Sequence, residues 1–283
     1  MKVTEEQKHH FDTFGFLVFR QLLTPSEMEK FSKEFNAGLD SWLPPGTKHD
    51  RATRHYASLM EETTPFIASL HDDPRFAGVA EQLLGKDVLG IAADGNYYVG
   101  TTHWHPDGHP IGLDGKPEDY LAVKFTIYPE PQDGTNGALR VIPGSHRQPF
   151  HRRLQEKFYH PPIEDKAKKT PEEAFGVPGE DVPAYVFDSE PGDVLIFNGP
   201  LWHAAFGGSD HRRMCSIVYY DDPDTPEATT AIQEVMSRNH RMYATKGRQM
   251  YTDYYRNNPA TRHQRWVSRM SELGILETPP LAS

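Results

Sequence analysis

The sequence is poor in cysteine, in basic charge and in long apolar runs. Its 283 residues include one cysteine, Cys215, so neither an intrachain disulfide nor a cysteine-rich zinc site can form. Asp and Glu number 40 against 30 Lys and Arg, a formal net charge of -10. This balance disfavours nucleic acid or an anionic membrane as partner, because both require clustered positive charge. We expect a small-molecule partner and a reducing compartment.

Targeting and membrane-spanning segments are also missing from the sequence. No stretch approaches the roughly 18 consecutive apolar residues of a transmembrane helix. The start, "MKVTEEQKHHFDTF", lacks the apolar region of a signal peptide, and the end, "LETPPLAS", lacks a peroxisomal address. The expectation is a cytoplasmic protein with no membrane partner, either a monomer or a homodimer.

Hydrophobic patterning divides the chain into three parts of one predicted domain, 1–283. Helical periodicity dominates residues 1–87, whereas residues 88–222 show short apolar runs broken by Gly, Pro, Asn and Asp. Many short strands with turns between them predict a β sandwich or barrel. A charged, proline-containing insertion at about 146–183 has the length of a lid, and the loop "GHPIGLDGKPEDY" (108–120) is expected to form part of the same lid. The polarity of both segments predicts a small polar substrate. Residues 223–283 become helical again and predict a C-terminal extension.

Three helix starts are marked by a threonine with Gln or Glu three residues later. Thr4, Thr24 and Thr170 each have this spacing, which is typical of a capping box. The apolar periodicity of residues 73–87 predicts a further helix that ends near Gly85.

The stretch "THWHPDGHP" places potential metal ligands at every second position: His103, His105, Asp107 and His109. Alternate residues of a β-strand point to one face. Pro106 and the following glycine favour an end of the strand near Asp107. The first three groups are therefore expected on one face, and the direction of the fourth is open.

A second histidine lies far along the chain, in "PGDVLIFNGPLWHAAFGGSDHRR". An apolar strand leads through a turn to His203, and Arg213 opens the next strand. Two histidines and one carboxylate from separate strands can form the facial triad of non-haem iron enzymes, which leaves three metal positions open. An arginine can bind the far carboxylate of a chelating co-substrate through two hydrogen bonds.

Several ordered blocks resemble the phytanoyl-CoA dioxygenase family of Fe(II)/2-oxoglutarate oxygenases. They are "FDTFGFLVFRQLLTPSEMEKF" near the start, "HPD", "NGALRVIPGSHR" and "PGDVLIFNGPLWH". The resemblance extends from about residue 5 to about 222. It implies a mainly β fold, with a double-stranded β-helix (a jelly-roll, cupin-like core) flanked by N-terminal and C-terminal helices.

Site residues follow from the resemblance position by position. It implies that His105, Asp107 and His203 bind iron and that Arg213 binds the 5-carboxylate of 2-oxoglutarate. Arg212 is the alternative for that role, because the loop after His203 is one residue shorter than in many members.

Further positions in the resemblance concern the rest of the 2-oxoglutarate pocket. Asn96, Lys124 and Thr126 are additional candidates for contact with the co-substrate. Ala205 stands where relatives often have serine, so one hydrogen bond to the co-substrate is expected to be lost.

Substrate contacts are assigned to His103, His109, Arg140 and Trp202, each with a competing structural explanation. For His103 the structural explanation is a hydrogen-bonded neighbour of the ligands, which is favoured over a ligand role. For Trp202 it is packing that fixes the adjacent histidine, which is favoured over contact with substrate. Arg140 either faces solvent or binds an anionic group of the substrate, for which Lys124 is the other candidate.

The resemblance implies an enzyme that uses Fe(II), 2-oxoglutarate and dioxygen. It would hydroxylate an aliphatic C–H bond of a small polar metabolite and convert 2-oxoglutarate to succinate and CO2. Related halogenases replace the carboxylate ligand by a small residue, so Asp107 favours oxygenation. The alternative is a zinc-dependent metallohydrolase, but its H-x-H-x-D-H motif requires histidine where this chain has Gly108. A non-catalytic binding protein on the same barrel would normally have lost a metal ligand or the arginine, and this chain has lost neither.

Overall fold

The computed structural model describes residues 1–107, 121–158, 175–208 and 212–277. Within these ranges, no helix has both the length and the apolar character needed to cross a membrane. Ten strands form two antiparallel sheets in this part of the chain. In chain order the strands are β1 (Phe16–Phe19), β2 (His55–Ser58), β3 (Val88–Tyr98), β4 (Thr102–His105), β5 (Ala122–Ile127), β6 (Leu139–Val141), β7 (Tyr185–Val186), β8 (Val194–Asn198), β9 (His203–Ala205) and β10 (Arg212–Asp221).

The two sheets face each other as a double-stranded β-helix. The large sheet has the order β1-β8-β5-β10-β3-β2, and the small sheet has the order β4-β9-β6-β7. From β3 to β10 the chain passes repeatedly between the sheets, with β6 and β7 as the one consecutive pair in the same sheet. Such double-sheet jelly rolls bury the inward side chains between the sheets. The predicted mainly β fold is confirmed.

Two strands outside the predicted β core widen the large sheet. Strand β1 pairs with β8, and β2 pairs with β3, both antiparallel. The segment 1–87, predicted as helical, therefore also supplies both edge strands of the large sheet. The short β2 lacks a clear alternating pattern, and its strand conformation depends on pairing with β3 rather than on local sequence.

Two predicted capping boxes open the N-terminal helices. The Thr4 and Thr24 side chains each accept a hydrogen bond from the backbone three residues on, and Gln7 and Glu27 reciprocate. The predicted helix before Gly85 is present and ends there in the left-handed conformation. Thr170 lies outside the described residues. The helices of this part are α1 (Glu5–Phe14), α2 (Pro25–Ser41), α3 (Pro65–Leu70) and α4 (Ala77–Leu84).

The insertion at 146–183 is described in part. It contains α5 (Phe150–Phe158) and a 3-10 turn at Gly179–Asp181, while residues 159–174 lie outside the described ranges. The loop 108–120, the other predicted part of a lid, lies outside them entirely. The lid therefore stays a prediction.

The C-terminal helices join the packing on the large sheet. They are α6 (Pro226–Ala244), α7 (Asp253–Arg256) and α8 (Thr261–Glu272). Trp266 of α8 is buried over Gly90 of β3, where an added Cβ would lie 2.5 Å from the indole. The Tyr255 hydroxyl donates to the Gly90 carbonyl oxygen at 2.7 Å. The missing side chain at Gly90 thus lets the C-terminal extension dock directly on the strand.

Two buried histidines lie at this junction and make stability depend on pH. His71 and His263 are fully buried, with ring centroids 6.1 Å apart. Burial lowers the pKa of His71 to about 3 and that of His263 to about 4. In the unfolded chain a histidine has a pKa of about 6.5. Between these values the unfolded chain binds protons that the folded protein does not.

We expect the free energy of unfolding to be highest above pH ~6.5 and to fall as the pH is lowered from there towards the folded pKa values. The loss is about 1.4 kcal/mol per pH unit for each histidine. Urea unfolding at two pH values, about one unit above and one unit below 6.5, measures it. His71→Leu should lower this slope by the share of one histidine, about 1.4 kcal/mol per pH unit, and an unchanged slope in that variant would contradict the assignment.

Candidate metal and co-substrate site

Strand pairing brings the two predicted histidine ligands together. His105 of β4 lies opposite His203 of β9 in the antiparallel register, and their ring centroids are 4.3 Å apart. Asp107 follows β4, and its backbone N–H donates to the carbonyl oxygen of Gly199 at 3.0 Å. Its carboxylate oxygens lie 3.8 Å from His105 Nε2 and 3.7 Å from His203 Nε2. The potential ligand atoms of the three residues all lie within 4.8 Å of one another.

Both histidine rings are oriented for metal binding. The Nδ1 atom of His105 is 2.7 Å from the carbonyl oxygen of His103, and that of His203 is 2.8 Å from the carbonyl oxygen of Leu201. A carbonyl only accepts, so each Nδ1 carries the proton and each Nε2 keeps its lone pair. Metal-binding histidines are commonly fixed by this contact. The donor set therefore fits a divalent iron ion.

Charge in the site keeps the ligands in their binding forms. Burial alone would raise the pKa of Asp107, but the Lys124 ammonium beside it and the two neighbouring imidazoles hold it well below its usual range. Burial lowers the pKa of His203 to about 3. Asp107 is therefore ionised and His203 neutral at physiological pH, as metal coordination requires.

A cavity between the sheets opens beside the three groups. Its wall combines polar and apolar side chains from both sheets: Tyr98, Thr102, His105, Asp107, Lys124, Thr126, Tyr128, Leu139, Phe197, His203, Ala205, Arg212 and Met214. Lys124 and Thr126, predicted for the co-substrate pocket, are among them. Asn96 is outside this set, although it lies in β3 two residues before Tyr98.

The strand β10 decides between the two arginines. Arg212 and Met214 both line the cavity, so Arg213 between them points to the opposite face of the sheet. Arg213 there pairs with Glu130 and donates to the Ser32 carbonyl oxygen of α2 at 3.1 Å. Arg212, the alternative for the co-substrate role, therefore faces the cavity, whereas the predicted Arg213 ties the sheet to α2.

Arg212 is buried, and no acidic partner of it is found among the described residues. It is 2% exposed, and its described hydrogen bonds go to the Gly137 carbonyl oxygen at 2.6 Å and, more weakly, to Thr102 Oγ1 at 3.4 Å. Its guanidinium also lies 4.8 Å from the Tyr98 ring centroid. Gly137 has φ of 102°, and an added Cβ would lie 2.6 Å from the guanidinium. The "NG" turn therefore leaves the space that this arginine occupies.

Three residues predicted to touch substrate lie outside the cavity wall: Arg140, Trp202 and His103. Arg140 donates to the carbonyl oxygens of Glu180 and Gly134 and lies over the Phe206 ring. It lies next to the cavity-lining Leu139 and so points to the opposite face of β6. Trp202 is fully buried, with its backbone N–H bonded to Ser145 Oγ at 2.9 Å. Neither Arg140 nor Trp202 lines the cavity, and the described contacts of both fit structural roles.

His103 is exposed and outside the cavity wall, and its carbonyl oxygen fixes the ring of His105. A register shift between Thr102 and His105 breaks the predicted alternation, so Thr102 faces the cavity with His105. His109 lies outside the described residues.

Sequence reasoning missed Tyr98 and Tyr128, which both line the cavity. Each follows a predicted pocket residue by two positions, Asn96 and Thr126 respectively. The alternation of strand side chains would have identified them.

Comparison with known proteins agrees with this geometry. The profile of the phytanoyl-CoA dioxygenase (PhyH) family matches residues 11–215. The chain belongs to this family. It is accordingly an iron- and 2-oxoglutarate-dependent dioxygenase by class, with dioxygen as co-substrate, as the resemblance implied. The C-terminal helices follow the matched segment.

Curated relatives are similar at low identity. An ectoine dioxygenase of Nocardia farcinica is 27% identical over 222 residues, which cover 72% of this chain and 72% of that protein. The ectoine dioxygenase of Streptomyces coelicolor is 29% identical over 155 residues, but the match covers 48% of each chain.

A solved structure extends the likeness to the fold. HygX from Streptomyces hygroscopicus, with nickel and 2-oxoglutarate bound, has a TM-score of 0.59 at 21% identity, covering 80% of this chain and 94% of that one. The alternative of a zinc-dependent metallohydrolase receives no support. Its H-x-H-x-D-H motif belongs to a fold with αββα layers, whereas this chain folds as a double-stranded β-helix.

The ligand assignment can be tested by metal binding to the purified protein. We expect His105→Ala, Asp107→Ala and His203→Ala each to weaken Co(II) binding by at least about tenfold, since each removes one of three protein ligands. Visible absorption of the Co(II) protein measures this, and His103→Ala serves as control because that ring lies outside the cavity. Wild-type Co(II) affinity in Asp107→Ala would contradict the carboxylate assignment.

Proposed function

We propose that this dioxygenase hydroxylates an aliphatic C–H bond of a small polar metabolite, with iron held by His105, Asp107 and His203. The buried, acid-free Arg212 is the observation that carries the proposal. Arginine is rarely buried without a counter-charge, and among the described residues no carboxylate lies within ion-pair distance of this one. The 5-carboxylate of 2-oxoglutarate supplies that charge.

Other unused polar atoms surround the same place. Tyr128 OH, Thr126 Oγ1 and Arg212 Nε are buried and have no described hydrogen-bond partner, and all three residues line the cavity. Buried polar atoms are normally paired, so these fit the oxygens of a bound carboxylate. Burial raises the pKa of Tyr128 to about 12, which keeps the hydroxyl protonated as a donor.

The hydroxyls of Tyr128 and Thr126 can also replace the serine hydroxyl that this chain lacks at position 205. Ala205 lines the cavity without a hydroxyl, where relatives often have one, and Tyr128 and Thr126 contribute hydroxyls to the same wall. Tyr128 then takes over the hydrogen bond that a serine would make. The far carboxylate is thus bound by one guanidinium and by hydroxyls of β5 and the residue that follows it.

The iron ion, when bound, would supply the oxidising chemistry of the reaction. The protein's own residues perform the positioning: His105, Asp107 and His203 would hold the ion, and Arg212 aligns the co-substrate along the cavity. Phe197, Leu139 and Met214 provide the apolar part of the wall, which limits water beside the reacting groups.

The substrate class is proposed from the polar cavity and from the relatives. Lys124 presents an ammonium to the cavity beside the metal ligands, whereas Arg140 is directed elsewhere. Because the similar curated proteins named here are ectoine dioxygenases, ectoine is the first compound to assay, followed by other small polar metabolites. Substrate-dependent succinate formation is the readout.

The two arginines make a matched pair for testing the co-substrate site. We expect Arg212→Ala to weaken 2-oxoglutarate binding to the Fe(II) protein by about 2–3 kcal/mol, because a charge-assisted, buried pair is lost. Arg213→Ala should leave that affinity within about twofold and instead lower stability. Anaerobic titration of the visible absorption band of the Fe(II)·2-oxoglutarate complex measures the affinity, and urea unfolding measures stability. The reverse pattern would restore Arg213 to the role.

Replacement of Tyr128 tests the hydroxyl that substitutes for serine. We expect Tyr128→Phe to weaken 2-oxoglutarate binding by about 1 kcal/mol, the net contribution of one hydrogen bond. Ala205→Ser in the Tyr128→Phe background should recover part of the loss, measured in the same titration. No loss in Tyr128→Phe would show that the tyrosine makes no contact with the co-substrate.

A further inference from the structure

Lys124 makes a direct contact with a metal ligand. Its ammonium donates to Asp107 Oδ2 at 2.7 Å, and its side chain is 18% exposed. The residue lies in β5, two positions before the cavity-lining Thr126, and its ammonium lies 5.8 Å from the Phe197 ring centroid. Among the described residues, Asp107 is the one carboxylate within ion-pair distance of this lysine.

This contact makes the two oxygens of Asp107 unequal. Oδ2 is engaged by the lysine, whereas Oδ1 accepts no hydrogen bond from the described residues and lies 3.8 Å from His105 Nε2. A carboxylate can bind a metal through one oxygen or through both. Binding through both would occupy a further position on the ion, which the chelating co-substrate and dioxygen need.

We propose that Lys124 is a positioning residue that holds Asp107 as a one-oxygen ligand and so keeps the metal positions for 2-oxoglutarate and dioxygen open. This inference rests on the proposed metal and 2-oxoglutarate site. Hydrogen bonds to ligating carboxylates fix their orientation in many metal sites, and their removal typically costs tenfold or more in metal affinity or activity.

Simple charge neutralisation is the competing explanation for the contact. If Lys124 only balanced Asp107 in the metal-free protein, its removal would leave the carboxylate more available and tighten metal binding without affecting the co-substrate. If Lys124 positions the carboxylate, its removal acts mainly on the step in which 2-oxoglutarate takes two positions on the ion. The first explanation therefore predicts a change in metal affinity, and the second predicts a change in 2-oxoglutarate affinity.

The chain offers a matched control lysine. Lys86 pairs with Asp221 at 2.9 Å, and its side chain is 33% exposed. This pair has a similar length, Lys86 also lies 3.7 Å from Asp224, and none of these residues lines the cavity. Lys86→Met thus removes a comparable ion pair without touching a metal ligand.

The experiment uses the full chain loaded with Co(II), followed by titration with 2-oxoglutarate, both monitored by visible absorption. We expect Lys124→Met to weaken 2-oxoglutarate binding by about tenfold or more and to change the Co(II) spectrum before the co-substrate is added. Lys124→Arg, which keeps a cationic donor, should remain within about threefold of wild type. Lys86→Met should match wild type in both measurements.

Folding of each variant is checked by circular dichroism, and Lys124→Ala is prepared in parallel in case Lys124→Met does not fold. Wild-type 2-oxoglutarate affinity with an unchanged Co(II) spectrum in either truncation would overturn the positioning role, as would tighter Co(II) binding alone. Failure of the wild-type Co(II) protein to bind 2-oxoglutarate would overturn the proposed co-substrate site itself, and this inference with it.

Discussion

The antiparallel pairing of β4 with β9 is the constraint on which the site depends. It sets His105 opposite His203, although nearly a hundred positions separate them in the chain, and it leaves Asp107 just past the end of β4. A shift of one residue in either strand would turn one imidazole away from the other, since strand side chains alternate between faces. The register of two short strands therefore determines whether three ligands converge.

The large sheet forms the opposite wall of the cavity. Because side chains alternate along its strands, one face carries residues of the site and the other carries residues that pack against the helices. The inward residues of β10 and β5 include Arg212, Lys124 and Thr126, which line the cavity. The intervening residues face the helical layer, where Arg213 is joined to α2 and Tyr219 donates to the carbonyl oxygen of His71. Adjacent residues in one strand thus have unrelated roles, one in the site and one in the packing that keeps the sheet in place.

Electrostatics distinguishes this cavity from the rest of the core. Two cations, Lys124 and Arg212, line a space whose described anion is Asp107, and a divalent metal would add to the positive charge. The proposed dianionic co-substrate would offset this excess and would supply the counter-charge that Arg212 lacks among the described residues. The C-terminal helices, by contrast, contact the sheet through aromatic packing around Gly90 and the buried histidines.

By itself the sequence determined the family and the β core and indicated the candidate ligand set, because those depend on ordered motifs and on local alternation. "HPD" and the distant "WH" can be identified without coordinates, and so can the capping boxes at Thr4 and Thr24. The family resemblance, however, left Arg212 and Arg213 as alternatives, and only the structure shows that Arg212 is the one that faces the cavity.

The tertiary structure determined which side chains face the cavity, because this depends on the register between strands and on which face of each sheet is covered. Only strand pairing shows that Arg212 turns inward, that a shift before His105 replaces His103 by Thr102 on the cavity side, and that Arg140 points away. It also reveals the bond from Lys124 to Asp107, which joins residues of different strands. Residue types and spacing determine the chemistry that is available, but long-range pairing determines which side chains meet.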